Sequence, residues 1–93
     1  MKTHLLIDGR HYFYDLCRLK GWKSLKKDDE LITTNHLNYK PCRVRVDCVT
    51  QDYVMVELVR ERPTNIYWRL TKNDFVRGVY LIEKEEKSQG YGT

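Results

Sequence analysis

Three absences narrow the chemistry before any pattern is read. Cys17, Cys42 and Cys48 are odd in number and none forms a Cys-x-x-Cys pair, so neither a disulfide framework nor a standard zinc site is signalled. No glycine-rich phosphate loop is present, because Gly9, Gly21, Gly78, Gly90 and Gly92 never gather into a nucleotide fingerprint. No apolar run approaches the roughly 18 residues needed to cross a bilayer, and Leu5-Leu6-Ile7 is too short for the apolar segment of a secretory leader. A cytoplasmic protein without a membrane partner is the expectation. Catalytic groups are equally thin. His4, His11 and His36 are read as far apart, and the spacings His11 to Cys17 and His36 to Cys42 fit no ligand pattern on a helix or loop. No metal, no cofactor and no catalytic residue is therefore expected, and the chain is read as a non-enzyme.

What is present is ordinary globular material with a surplus of tyrosine. A chain of 93 residues suffices for one small core and not for two. Its 41% hydrophobic and 32% charged content excludes a disordered protein, while seven tyrosines exceed common usage. The net charge of +4 permits an acidic partner without requiring one, because 13 acidic residues are interspersed among 17 basic ones.

Alternation is strongest from residue 42 onward. Cys42, Val44, Val46 and Cys48 occupy one parity of C-R-V-R-V-D-C-V-T and Arg43, Arg45 and Asp47 the other, the period of two of a half-buried strand. Val54, Val56 and Leu58 repeat the pattern, with Thr50-Gln51-Asp52 leaving room only for a tight turn, so the two segments are predicted to form an antiparallel hairpin. A loop at Arg60-Glu61-Arg62-Pro63-Thr64-Asn65 precedes a third strand in which Ile66, Trp68 and Leu70 share the core parity. Upstream, Asp29 to Thr34 supplies β-forming residues for a further strand. Downstream, Thr71-Lys72-Asn73-Asp74 resembles a capping box that starts a helical turn ended by Gly78, and Val79 to Ile82 reads as a last strand. Five short strands with one helical turn before the last have the order of a small SH3-like barrel, or of an open antiparallel meander, in a mainly β (α+β) chain.

The N-terminal segment supports two readings. Asp8-Gly9 between Leu5-Leu6-Ile7 and Tyr12-Phe13-Tyr14 is a hairpin signal, whereas Asp8 can also cap a helix running to Lys20 with Tyr12, Leu16 and Leu19 on one face and Gly21 at its end. Strand followed by helix is the preferred reading, because residues 15–21 lack alternation. The expected organisation is then one domain over residues 1–82, with 1–21 as an appendage and 29–82 as the barrel-like core, followed by a polar tail over 83–93. Cys42 and Cys48 are expected to be inert packed thiols.

Binding is the function class these residues support. Arg43, Arg45, Tyr53, Tyr67 and Arg69 share the parity opposite the core, and Arg60 and Arg62 sit on a loop able to project from a rigid hairpin. Arginine and tyrosine are enriched where proteins meet macromolecules, although they also cover sheet surfaces as cross-strand pairs, with Asp47 and Glu57 as ion-pair partners. Arg18, Lys20, Lys23, Lys26 and Lys27 around Trp22 form a second patch suited to a phosphate backbone, countered by Asp28-Asp29-Glu30 and by a packing role for Trp22 beside Leu25. The expected partner is a protein, nucleic acid is the alternative, and a homodimer through open strand edges stays available. Small stand-alone chains of this type look like accessory proteins of bacteria or their phages, including inhibitors that occupy an enzyme's surface.

Overall fold

The computed structural model describes residues 2–34 and 38–86, with the backbone alone for 84–86. The chain forms β1 (Lys2–Ile7), β2 (Arg10–Arg18), β3 (Glu30–Thr34), β4 (Pro41–Val49), β5 (Val54–Leu58), β6 (Tyr67–Leu70), α1 (Lys72–Arg77) and β7 (Tyr80–Glu86). All seven strands pair antiparallel in one open sheet ordered β1-β2-β7-β3-β4-β5-β6. The described residues are mainly β, but in place of the expected five-stranded SH3-like barrel they form seven strands in a sheet that does not close.

The difference begins at the N-terminus, where a hairpin replaces the expected helix. Asp8 and Gly9 both take positive φ, 54° and 77°, as the two-residue turn whose twist matches that of flanking strands demands, and Ile7 pairs directly with Arg10 across it. Tyr12, Tyr14 and Leu16 then face inward at a period of two. Their alternation is hidden in the sequence because the outward parity also carries Phe13 and Cys17. The polar segment from Glu83 continues as strand through Glu86, and residues 87–93 lie outside the described residues.

Each face of the sheet carries its own apolar cluster. On one face Val44, Val46, Val54, Val56 and Leu70 pack beneath Leu25, Phe75 and Val79, with Leu19 and Trp22 at the margin. A fully buried Val or Leu contributes about 1.5–3 kcal/mol relative to exposure, so this layer dominates the stability. The loop after β2 is fixed onto it by hydrogen bonds in which Asp28 N–H donates to the Val46 carbonyl at 2.9 Å and Val46 N–H to the Asp29 carbonyl at 2.8 Å. The helix α1 closes the same face, started by Thr71 N–H donating to the Asp74 carboxylate at 2.8 Å and ended by Gly78. On the opposite face Ile7, Tyr14 and Ile32 gather Leu5, Tyr12, Leu16, Tyr80 and Ile82 around them, and the sheet curls far enough for β1 to meet β4.

An irregularity in β4 corrects the cysteine reading. Val46 pairs with Val56 but Cys48 pairs with Met55, so Asp47 is an extra residue that switches the parity behind it. Cys42 is buried as expected, whereas Cys48 is carried to the outer face and is exposed, as is Cys17.

Candidate functional site

The side chains opposite the Val44–Val46 core are brought into rows by the strand register. Arg45 stands across from Glu57, and Glu57 from Tyr67, so these three form one line over β4, β5 and β6. Met55 and Arg69 form the next line, with the Arg69 guanidinium 4.7 Å above the ring of Tyr53. Tyr67 is 49% exposed and the adjacent Ile66 50%, at the free edge of the sheet. Four of the residues expected on a binding face, Arg45, Tyr53, Tyr67 and Arg69, are therefore contiguous.

Arg43 shares their face but is engaged in packing. Its Nε donates to Glu30 Oε1 at 2.7 Å, its terminal nitrogen is also paired with that oxygen, and its guanidinium lies 5.9 Å from the Tyr14 ring centroid. Only 23% of the side chain is exposed. Glu30 also reaches Arg45, whose Nε lies 3.8 Å from Oε2, so one carboxylate on β3 restrains both β4 arginines.

Arg60 and Arg62 open onto a cleft of about 570 Å³ between the β1–β2 turn and the loop after β5. Two ion pairs cross it in opposite senses, Arg60 with Asp8 and Arg10 with Glu61. Ile7, Tyr12, Tyr14, Arg43 and Val59 complete its lining. Arg62 has no ion-pair or hydrogen-bond partner among the described residues, and a smaller groove of about 350 Å³ joins it to Arg45 and Glu57. Arg10, Tyr12 and Tyr14 escape the sequence reading because a helix from Gly9 to Lys20 does not align them along one wall; the Asp8-Gly9 pair is the available signal.

The basic patch lies on the other face. Trp22 packs on Phe75 with centroids 5.0 Å apart and donates its indole N–H to the Thr50 carbonyl at 3.0 Å. Arg18 donates to the Val76 carbonyl at 2.9 Å, while Lys20, Lys23, Lys26 and Lys27 are exposed. The aromatic member of the patch thus serves the core, and its lysines project as separate point charges.

The hairpin also overturns the separation read between two histidines. His4 Nε2 and His11 Nδ1 are 2.7 Å apart, with rings stacked at 4.9 Å, and Phe13 stacks on His4. His36 lies outside the described residues. Among the described residues no group of three or more His, Cys, Asp or Glu side chains is placed to hold a metal, and no helix is long and apolar enough to cross a membrane. Burial pushes the Cys42 thiol up from 9.0 to about 11, the direction of an inert thiol. No family model, curated protein or solved structure matches the chain, so the functional reading rests on this geometry.

Proposed function

We propose that the chain is a non-catalytic binding module that captures an acidic segment of a protein partner on the Arg45, Tyr53, Tyr67 and Arg69 face. The observation that carries the reading is the exposure of Tyr67 at the edge of the sheet, two positions before Arg69 on the same face of β6, with the Arg69 guanidinium stacked on Tyr53. An aromatic anchor loses little side-chain entropy on binding, and a guanidinium already stacked on a ring is pre-organised to fork onto a carboxylate. Arg45, half-exposed and 3.8 Å from Glu30, supplies a second cation on the neighbouring line, with Tyr67. Capture in the manner of an inhibitor, by covering a partner's surface, needs no more than this.

The test is a titration of the labelled full chain with peptides that alternate glutamate and valine, against lysine–valine controls, followed by amide chemical shifts. Shifts confined to residues 53–57 and 66–70, lost at least about tenfold in Tyr67→Ala with Arg69→Ala, are the expected result. Equal binding of the lysine peptides would remove the face from consideration. The exposed lysines near Trp22 support nucleic acid as the second reading. It predicts that affinity for any sequence falls steeply with salt and weakens in Lys23→Glu with Lys26→Glu, while the Tyr67 and Arg69 variants bind normally.

A further inference from the structure

The cleft beside the capture face has a different build, and the order of its chemistry from floor to rim identifies a ligand class. The floor is aromatic and apolar. Tyr14 is fully buried, and the partly buried Tyr12 stacks with it, centroids 5.7 Å apart and rings 12° from parallel. The rim is cationic, with the side chains of Arg10 and Arg60 63% and 35% exposed and Arg62 exposed beside them. Asp8 and Glu61 balance Arg60 and Arg10, and Glu30 balances Arg43, which leaves Arg62 as the surplus cation of the lining.

We propose that this cleft binds a nucleoside phosphate, free or as the 5′ end of a single strand, with its base stacked on Tyr12 and its phosphate held at the rim by Arg62 with Arg10 or Arg60. The site adjoins the capture face through the groove at Arg45 but is lined by none of its four residues, and it goes beyond that reading. A volume of about 570 Å³ falls in the range of small-molecule sites. A planar base of any identity stacks on an aromatic ring, and the guanidinium fork matches two phosphate oxygens. Arg62 enters this contact without surrendering a partner among the described residues. Arg10 and Arg60 each retain further N–H donors besides those given to Glu61 and Asp8, since a guanidinium carries five.

The floor-to-rim order decides against a phosphorylated tyrosine from a protein. Its phosphate is the tip of the side chain and enters first, which demands free arginines at the bottom. Here the bottom is tyrosine, and the deepest arginine, Arg43, is already neutralised by Glu30. A nucleoside phosphate has the opposite polarity of shape, with a flat ring that enters and a phosphate that stays at the mouth.

The experiment is an amide-shift titration of the full chain with AMP, adenosine, ribose 5-phosphate, free phosphotyrosine and a 5′-phosphorylated trinucleotide. Saturable shifts at residues 8–14 and 59–62 with AMP are expected. Arg62→Ala should weaken AMP about tenfold without changing adenosine, and Tyr12→Leu should weaken both by a similar factor while Tyr12→Phe binds as the parent does. Arg62 is exposed and has no partner among the described residues, so its variant keeps the fold even if Tyr12→Leu does not, and Arg62→Glu then supplies the second arm. A trinucleotide that displaces AMP and binds more tightly assigns a strand end as the source, and weaker binding assigns the free nucleotide; both retain the site. Absence of saturable shifts up to about 10 mM AMP, ribose 5-phosphate as tight as AMP, or phosphotyrosine at least as tight as AMP would each overturn it. Tyr67→Ala and Arg69→Ala should leave AMP binding unchanged, which keeps the outcome independent of peptide capture.

Discussion

Raising the pH should destabilise the fold through one residue, Cys42. Its side chain is 2% exposed on the core face of β4, and burial holds its pKa near 11 instead of 9.0. Below pH 9 the thiol keeps its proton in both the folded and unfolded chain, and its favourable burial is fully present. Between 9 and about 11 the unfolded chain has released the proton and the folded chain has not. The unfolded state then binds fewer protons, so stability falls as pH rises, by at most about 1.4 kcal/mol for each unit inside the window. The whole window is therefore worth no more than about 2–3 kcal/mol, a large share of the stability of a small domain. Urea unfolding at steps from one unit below the window to its top measures this directly. The comparison is with Cys42→Ala, which keeps every other ionisable group and differs otherwise only by a pH-independent loss of packing of about 1 kcal/mol. The parent curve should fall towards the variant curve as pH rises and pass below it before the top of the window. Parallel curves would refute the burial argument. A disulfide reagent at neutral pH gives a companion reading: Cys17 and Cys48 react at once and Cys42 waits for unfolding.

Three further substitutions probe how the site is positioned. Gly9→Ala adds a Cβ with nothing within 4 Å but at φ +77°, so the loss of about 1 kcal/mol in urea unfolding comes from backbone strain alone, and a neutral result would contradict the turn geometry. Asp74→Ala removes the acceptor for Thr71 N–H and should cost about 1–2 kcal/mol, with Asp74→Asn retaining part of it; equal losses for the two would show that the carboxamide does not accept this bond. Glu30→Gln leaves the half-buried Arg43 without its counter-charge and should cost about 1–3 kcal/mol, largely recovered when Arg43→Met is added, which a double-mutant cycle reads as coupling.

The alternation from Cys42 to Leu70 was sufficient to place β4, β5 and β6 and to put Arg45, Tyr53, Tyr67 and Arg69 on one face, because side-chain parity in a strand is local. Three features were not legible in this alternation. The hairpin at Asp8-Gly9 lost to a helix reading because Phe13 and Cys17 make the outward side of β2 look as apolar as its inward side. The extra residue at Asp47 leaves no mark on composition, yet it moves Cys48 across the sheet. The strand order places β7 between β2 and β3, a pairing between distant parts of the chain that no window of sequence contains. That last arrangement also explains why Arg43 was read as a partner contact: only with β3 beside β4, and the β1–β2 hairpin curled over them, do Glu30 and Tyr14 appear as its neighbours.

The cleft inherits its existence from the same long-range pairing. One wall comes from the β1–β2 turn at the outer end of the sheet and the other from the loop after β5, near the opposite end, and they meet because the sheet curls through β7 and β3. The crossed pairs Arg60–Asp8 and Arg10–Glu61 join the walls, but exposed ion pairs of this kind contribute only up to about 1 kcal/mol each. They are too weak to impose the curl and strong enough to set the width of the mouth within it. A buried pair in their place would hold the cleft shut, since breaking it to admit a ligand would leave an uncompensated charge out of water. Weak, wet pairs on a rigid aromatic floor are the combination that lets arginines change partners while the floor stays fixed.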